Sequence, residues 1–401
     1  MKKLLQINSV VNYGSTGHIV EDLGNLAQQN GFESYVIYGR KRRKSSQKTY
    51  YIGSLFAFLF HVFMTFITDG HGLYSKFATR KLIKLIQKIN PDVIHLHNIH
   101  GYYLNYPLLF NYFKKIDKPI IWTLHDCWTY TGHCSHYTFV KCSDWKIKCL
   151  KCKQKRSYPP SLLIDNCRKN FELKKMLFTS VKNCTIVTPS KWLSKEVGNS
   201  FFNRYTIKYI YNGIDLDKFR SSSNNPYTFT NKKIILSVAN VWDDRKGFND
   251  LIELNKLLDH NLYQIVMIGL TKKQVKKLPE NIIGIERTES VQELVDYYSF
   301  ADVYFCASVE ETLGMTPIEA QACGTPCIVY NSTAIPETIL NGKTGVVVEP
   351  RDIVSVMDSI NLLVSKDRSS MAKQCTEWVR SNFDINVTYK KYLEIYQNVL
   401  K

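Results

Sequence analysis

The chain has 401 residues, enough for two domains with cores of ordinary size, and its 44% hydrophobic content excludes disorder over most of its length. Its 53 Lys and Arg against 35 Asp and Glu give a net charge of +18, which points to acidic partners: nucleic acid, anionic head groups or phosphorylated substrates. The lysines are scattered rather than gathered in one stripe and no DNA- or RNA-binding module is recognisable, so nucleic acid is set aside.

Met1-Lys2-Lys3-Leu4-Leu5 imitates a signal peptide, but Gln6, Asn8 and Asn12 interrupt the apolar run too soon. The expectation is a first strand, over 4–10, of a cytoplasmic protein. It runs into Asn12-Tyr13-Gly14-Ser15-Thr16-Gly17-His18 and a helical pattern through Leu26. Small residues at such a junction let the backbone approach a phosphate or sugar, which makes Gly14 and Gly17 candidate donor contacts, with a plain turn as the alternative. These glycines are three apart without a third, so an NAD enzyme is disfavoured.

Apolar runs at 34–38, 93–97, 120–124, 184–189 and 207–211 alternate with helical patterns, which predicts a parallel sheet covered by helices. Residues 55–67 are Phe-rich and uncharged, yet shorter than the roughly 20 residues a membrane span needs. The expectation is an apolar helix packed on the sheet; a membrane-docking face is the alternative. The run at 120–124 leads into His125-Asp126-Cys127-Trp128, placing an imidazole where it can hydrogen-bond a donor hydroxyl or the acceptor. His95, His97 and His100 read as satisfied structural histidines.

Eleven cysteines without a secretory signal argue against a disulfide framework. Cys134, Cys142, Cys149 and Cys152 fall within 19 residues. They can close a structural zinc site that staples a loop lacking its own core, or stand as reduced thiols. The other seven, Cys167 among them, read as small core or helix-face residues.

The polar stretch 220–226 marks a domain boundary, after which strands are expected at 234–238, 264–268, 282–285, 303–307, 325–330 and 345–348. Two Rossmann-like halves follow, residues 1–218 and 219–383, with their strand ends lining a cleft. After the first strand of the second half, Asp243-Asp244-Arg245-Lys246-Gly247-Phe248 offers two cations that can clamp a diphosphate; a solvated charge cluster is the alternative. After 303–307 comes a strand-loop-helix pattern from Ser308 to Pro326 with two carboxylates, Glu311 and Glu319. The N-H groups of Gly314, Met315 and Thr316 at the helix start can receive a phosphate, and Pro317 suits the first turn. One carboxylate can address a sugar and the other a ribose.

The order E-x-x-G-x-x-x-x-E-A-x-A-x-G-x-P over 311–326 resembles the donor-binding signature of retaining glycosyltransferases of family 4. Thr-x-His-Asp ending at Asp126, Asn212-Gly213-Ile214-Asp215 with Phe219, and Lys246 before Gly247 are similar to further motifs of that family. Thr312, Tyr211 and the stretch Asn240-Val241-Trp242 depart from its usual glycine, proline and arginine. The resemblance implies a two-domain GT-B enzyme of the bacterial exopolysaccharide and colanic-acid branch. Its helix over 384–401 would return to the first, acceptor-side domain. It also implies retaining, metal-independent transfer of a hexosyl unit from a nucleotide-diphosphate sugar to a glycan or lipid-linked acceptor, at or near the inner face of an anionic membrane. Lys246, Arg245 and the amides around Gly314 would hold the diphosphate, Glu319 the ribose and Glu311 the sugar, and His125 would position the reacting face. No catalytic cofactor is expected. The alternatives are a sugar-nucleotide 2-epimerase of the same fold and a nucleotide-sugar or glycan-binding protein without turnover.

Overall fold

Short runs of Val, Ile and Leu build two sheets in which every ladder is parallel, and strands of this kind are buried on both faces. The computed structural model describes residues Met1–Lys401 as two compact units, one of Met1–Ile210 with Tyr389–Lys401 and one of Tyr211–Thr388.

In the first unit the strands are β1 (Lys2–Asn8), β2 (Phe32–Tyr38), β3 (Lys48–Tyr51), β4 (Val93–Leu96), β5 (Ile120–Thr123), β6 (Cys184–Thr188) and β7 (Thr206–Tyr209), in spatial order β3-β2-β1-β4-β5-β6-β7. Strand order reverses beside β1, where Leu5 pairs with Tyr35 on one side and Ile94 on the other. Edge strand β3 is absent from the sequence reading. Its four residues are mostly exposed and half polar, so they lack the apolar run that marks the inner strands. The chain's final helix, Lys390–Asn398, belongs to this unit: Tyr396 and Tyr392 put their hydroxyls on His95 Nδ1 (2.7 Å) and Thr123 Oγ1 (3.1 Å).

Residues 55–67 do form a helix, Leu55–Thr68, capped by Ser54, but it is turned opposite to expectation. Its only fully buried residues are His61 and Thr65, whereas Leu55, Phe56, Leu59, Phe60, Phe63 and Phe66 are exposed. The reason lies in hydrogen bonding. His61 Nδ1 donates to Ser75 Oγ (2.8 Å) and Nε2 accepts from Gly72 N (3.0 Å), so the unit's interior claims the polar side of the helix.

The cysteine-bearing loop also differs from expectation. It has its own core, because Trp145 is buried against Tyr130 and Tyr137 at ring-centroid distances of 5.0 and 4.8 Å. Polar ties add to this. Asp69 pairs with His133 and accepts from Asn166 N (2.9 Å), and the buried Lys174 ammonium donates to the carbonyls of Trp128 (2.7 Å) and Thr131 (3.1 Å).

The second unit has β8 (Lys233–Val238), β9 (Tyr263–Ile268), β10 (Ile282–Ile285), β11 (Val303–Cys306), β12 (Cys327–Tyr330) and β13 (Gly345–Val348), in order β10-β9-β8-β11-β12-β13. Apolar clusters cover both of its faces. The turn at Asn212-Gly213 is structural, since a Cβ on Gly213 would lie 2.7 Å from Ile385 Cα.

Candidate functional site

In an open parallel sheet, ligands collect outside the carboxyl ends of the strands where the order reverses. In the second unit that point lies between β8 and β11. The loop after β8 tightens into a single turn, Asp244–Lys246, because Asp243 accepts from Lys246 N at 2.9 Å. Gly247 ends the turn at φ 75°, and a Cβ there would stand 2.3 Å from Ala307. Only glycine lets the two loops close on each other.

This contact brings Lys246 Nζ into an ion pair with Glu311 Oε1, and Ser308 Oγ donates to the same oxygen at 3.1 Å. Burial pushes the Glu311 carboxyl up, but the adjacent ammonium outweighs it and holds the group below its usual range. Arg245 Nε lies 3.9 Å from Asp243 and 4.0 Å from the buried Glu310 carboxylate, and Nη1 donates to Glu310 O at 3.4 Å.

Gly314, at φ 93°, opens the helix Met315–Ala322, and no side chain caps it. The first helical N-H groups therefore point outward with the positive end of the helix dipole. Met315 packs its side chain beside Leu313 and Ile318, so only its amide is directed to the site. Thr316 turns its hydroxyl to Tyr304 and Cys306. Deeper in the helix, Glu319 Oε2 accepts from the Tyr298 hydroxyl at 2.9 Å, and burial raises its carboxyl to about 7. Lys246, Arg245, Glu311, Gly314, Met315, Thr316 and Glu319 thus all belong to the two segments that meet at the reversal. Tyr298 was missed by sequence reasoning, and its position on the neighbouring helix carries no motif.

In the first unit the reversal lies between β1 and β4. Gly14 begins the helix Gly14–Gln29 at φ 63°, with nothing near its missing Cβ. Gly17 is a packing glycine, because a Cβ there would lie 3.2 Å from both Asn12 N and Val10 Cγ2.

His125 follows β5 and joins a chain of buried polar groups. Gln6 donates to Val20 O (2.8 Å), which leaves its Oε1 to accept from His97 Nε2 (3.1 Å). His97 Nδ1 then accepts from His125 Nε2 (3.1 Å), an assignment made from this network. Burial lowers His97 well below the usual range and His125 to about 4, so both rings are neutral near pH 7. Next to His125, Asp126 meets His100 Nε2 at 2.8 Å and accepts from Trp128 N at 2.9 Å. Gln6 and His97 escaped sequence reasoning as partners of His125 because they lie on other strands.

The predicted zinc ligands do not form a set. Thiol contacts join Cys134 to Cys152, Cys152 to Cys167 and Cys149 to Cys167, and Cys149 Sγ also accepts from Gly132 N at 3.2 Å. Cys142 is turned instead to the amide of Asp144. The thiols of Cys134 and Cys167 are pushed up as donors, and Cys149 and Cys152 are pushed down as acceptors. No group of three or more His, Cys, Asp or Glu side chains is disposed to hold a metal ion.

Comparison with known proteins gives two family matches, "Glycosyltransferase Family 4" over residues 16–218 and "Glycosyl transferases group 1" over residues 219–381. An uncharacterised 41.2 kDa protein of the cps region of Klebsiella pneumoniae is 24% identical over 397 residues, spanning 95% of this chain and 97% of that protein. WcaC of Escherichia coli, named for colanic acid biosynthesis glycosyl transfer, is 27% identical over 229 residues, 53% of this chain and 55% of its own length. Among solved structures, Anabaena HepE in complex with UDP and glucose superposes with a TM-score of 0.69 at 13% identity, over 99% of this chain and 100% of that one. Two parallel α/β units and matches that run from residue 16 to residue 381 lead to one conclusion: the chain belongs to glycosyltransferase family 4.

Proposed function

We propose that the chain is a retaining hexosyltransferase of bacterial surface polysaccharide synthesis. It moves a hexosyl unit from a nucleotide-diphosphate sugar to a glycan or lipid-linked glycan. The observation that carries this reading is the Lys246–Glu311 pair beside an uncapped helix start at the strand-order reversal. The names of WcaC and of HepE with UDP and glucose support the pathway and the donor class.

Lys246 and Arg245, with the amides of Gly314, Met315 and Thr316, neutralise the departing diphosphate, a task that cationic side chains and helix N-H groups perform without a metal. Glu319 accepts from ribose hydroxyls. Glu311, kept ionised by Lys246, orients the sugar. His125 positions the reacting face, and the Gly14 turn lets backbone approach the donor. In the transfer step the bond from C1 to the phosphate oxygen breaks, and a bond from C1 to the acceptor oxygen forms on the same face. The hydroxyl proton passes to the departing phosphate.

The test is to incubate purified chain with UDP-, GDP- and ADP-sugars, with and without glycan acceptors, and to read the product anomer by proton NMR. A retained anomer formed only with acceptor, and unaffected by EDTA, is expected. An inverted anomer, or activity lost to EDTA and restored by a divalent cation, overturns the mechanism. Donor conversion without acceptor would instead identify a 2-epimerase, and binding without turnover a binding protein.

A further inference from the structure

The Leu55–Thr68 helix is inside out, with its imidazole and threonine turned to the protein and its Phe and Leu side chains turned away. Leu55 is 73% and Phe56 86% exposed, and the patch does not end with the helix. On one side a groove of about 470 Å³, lined by Phe56, Phe60, Leu73 and Tyr74, leads to Phe77, itself 84% exposed. On the other, Leu162 N and Ile164 N donate to the carbonyls of Phe66 and Ile67, which brings the exposed Leu162, Leu163 and Ile164 to the end of the helix. Contiguous apolar surface of this extent marks an interaction site.

Charge selects the occupant. Residues 34–91 contain eleven Lys and Arg and one acidic residue, Asp69, and residues 145–164 contain six Lys and Arg and none. Asp69 is buried and paired with His133, so this stretch exposes no carboxylate. The cations border the apolar patch: Lys76 lines the groove, the Arg80 guanidinium lies 5.6 Å from the Phe77 ring centroid, and Lys155 Nζ reaches Leu163 O at 3.5 Å. A second copy of the chain placed symmetrically on this face would bring two rims of the same sign together. A surface that is apolar, negative at its boundary and planar meets both requirements.

We infer that this face docks the protein on a bilayer surface containing anionic lipid, with Phe56, Phe60, Phe63 and Phe77 entering the interface and Lys76, Arg80, Lys81 and Lys84 meeting the head groups. The inference stands apart from the transferase reading and does not depend on it.

The test is flotation of the full chain with vesicles of phosphatidylcholine alone, or with roughly one third phosphatidylglycerol. Association with the phosphatidylglycerol vesicles and little with the neutral ones is expected. The F56Q/F63Q variant should partition about tenfold less, and K81E/K84E should bind less and lose its salt dependence. All four side chains are exposed, so melting temperature and UDP affinity should stay at wild-type values; the UDP arm separates failure here from failure of the donor site. No association of the wild type, association undiminished in F56Q/F63Q, or a vesicle-free dimer that F56Q/F63Q dissociates would each overturn the inference.

Discussion

Lys246 and Glu311 are ion-paired at the point where the second sheet reverses its strand order. A cation one residue before a glycine that cannot be replaced, and a carboxylate one strand away, are brought together only because Gly247 lets the loops touch. Substituting Lys246 by Met leaves Glu311 without its counter-charge, at a cost of roughly 1–3 kcal/mol after allowance for partial exposure. Turnover should fall by about a hundredfold. Glu311→Gln should lower turnover at a comparable cost in stability, because it strands the Lys246 ammonium in turn. Chemical denaturation with single-turnover assays checks both; two variants with wild-type turnover would remove the pair from the site.

Glu319 gives a pH prediction. Its carboxyl is raised by burial to about 7, above the ordinary carboxylate value, so the folded state holds the proton more tightly than the unfolded one. Stability from this group is therefore complete at low pH and is lost as pH rises through 7. Glu319→Gln should raise stability at pH 8 by about 1–3 kcal/mol and change it little at pH 5. Nucleotide affinity should follow the opposite course in the wild type, strengthening above pH 7 as the carboxylate forms, and the variant should be weak throughout. Calorimetric titration of UDP at pH 5.5 and 8 tests this.

His125 has its ring lowered to about 4, so it is neutral throughout the physiological range. The pH profile of kcat should show no limb between 5.5 and 8 from this residue. His97→Ala removes the acceptor that fixes the His125 tautomer. It should lower kcat by about tenfold with little change in nucleotide affinity. Restoration of activity in His97→Gln or His97→Asn, either of which can accept from His125 Nε2, would support positioning over mere packing.

The thiol cluster separates two cysteines that look alike in the sequence. Cys167 is buried and contacts Cys149 and Cys152, whereas Cys142 is half-buried and stands outside. Cys167→Ala should lower the melting temperature by several degrees, corresponding to about 1–3 kcal/mol, and Cys142→Ala by much less. Equal shifts would contradict the arrangement.

Where the chain's local pattern matches its burial, the sequence is a direct guide: twelve of the strands follow apolar runs, and the loops after β8 and β11 carry the Lys246, Glu311 and Glu319 motif in full. The polar edge strand β3 has no such run. The helix of residues 55–68 was legible in type but not in orientation, because hydropathy alone does not say which side finds hydrogen-bond partners; His61 and Thr65 decide it through Ser75 and Gly72. Cys167 opens a helix fifteen residues beyond Cys152, outside any compact spacing pattern, and Tyr298 reaches Glu319 across two helices. Such partners are set by tertiary packing.

The return of Tyr392 and Tyr396 to the first sheet makes that unit discontinuous along the chain. On the ribosome its strands emerge early, yet His95 and Thr123 wait for phenol groups that follow the whole second unit in the chain. The second unit is complete in sequence before the first can close, which reverses the usual order of vectorial maturation and leaves the buried imidazoles of β4 without one wall until Tyr392 and Tyr396 emerge.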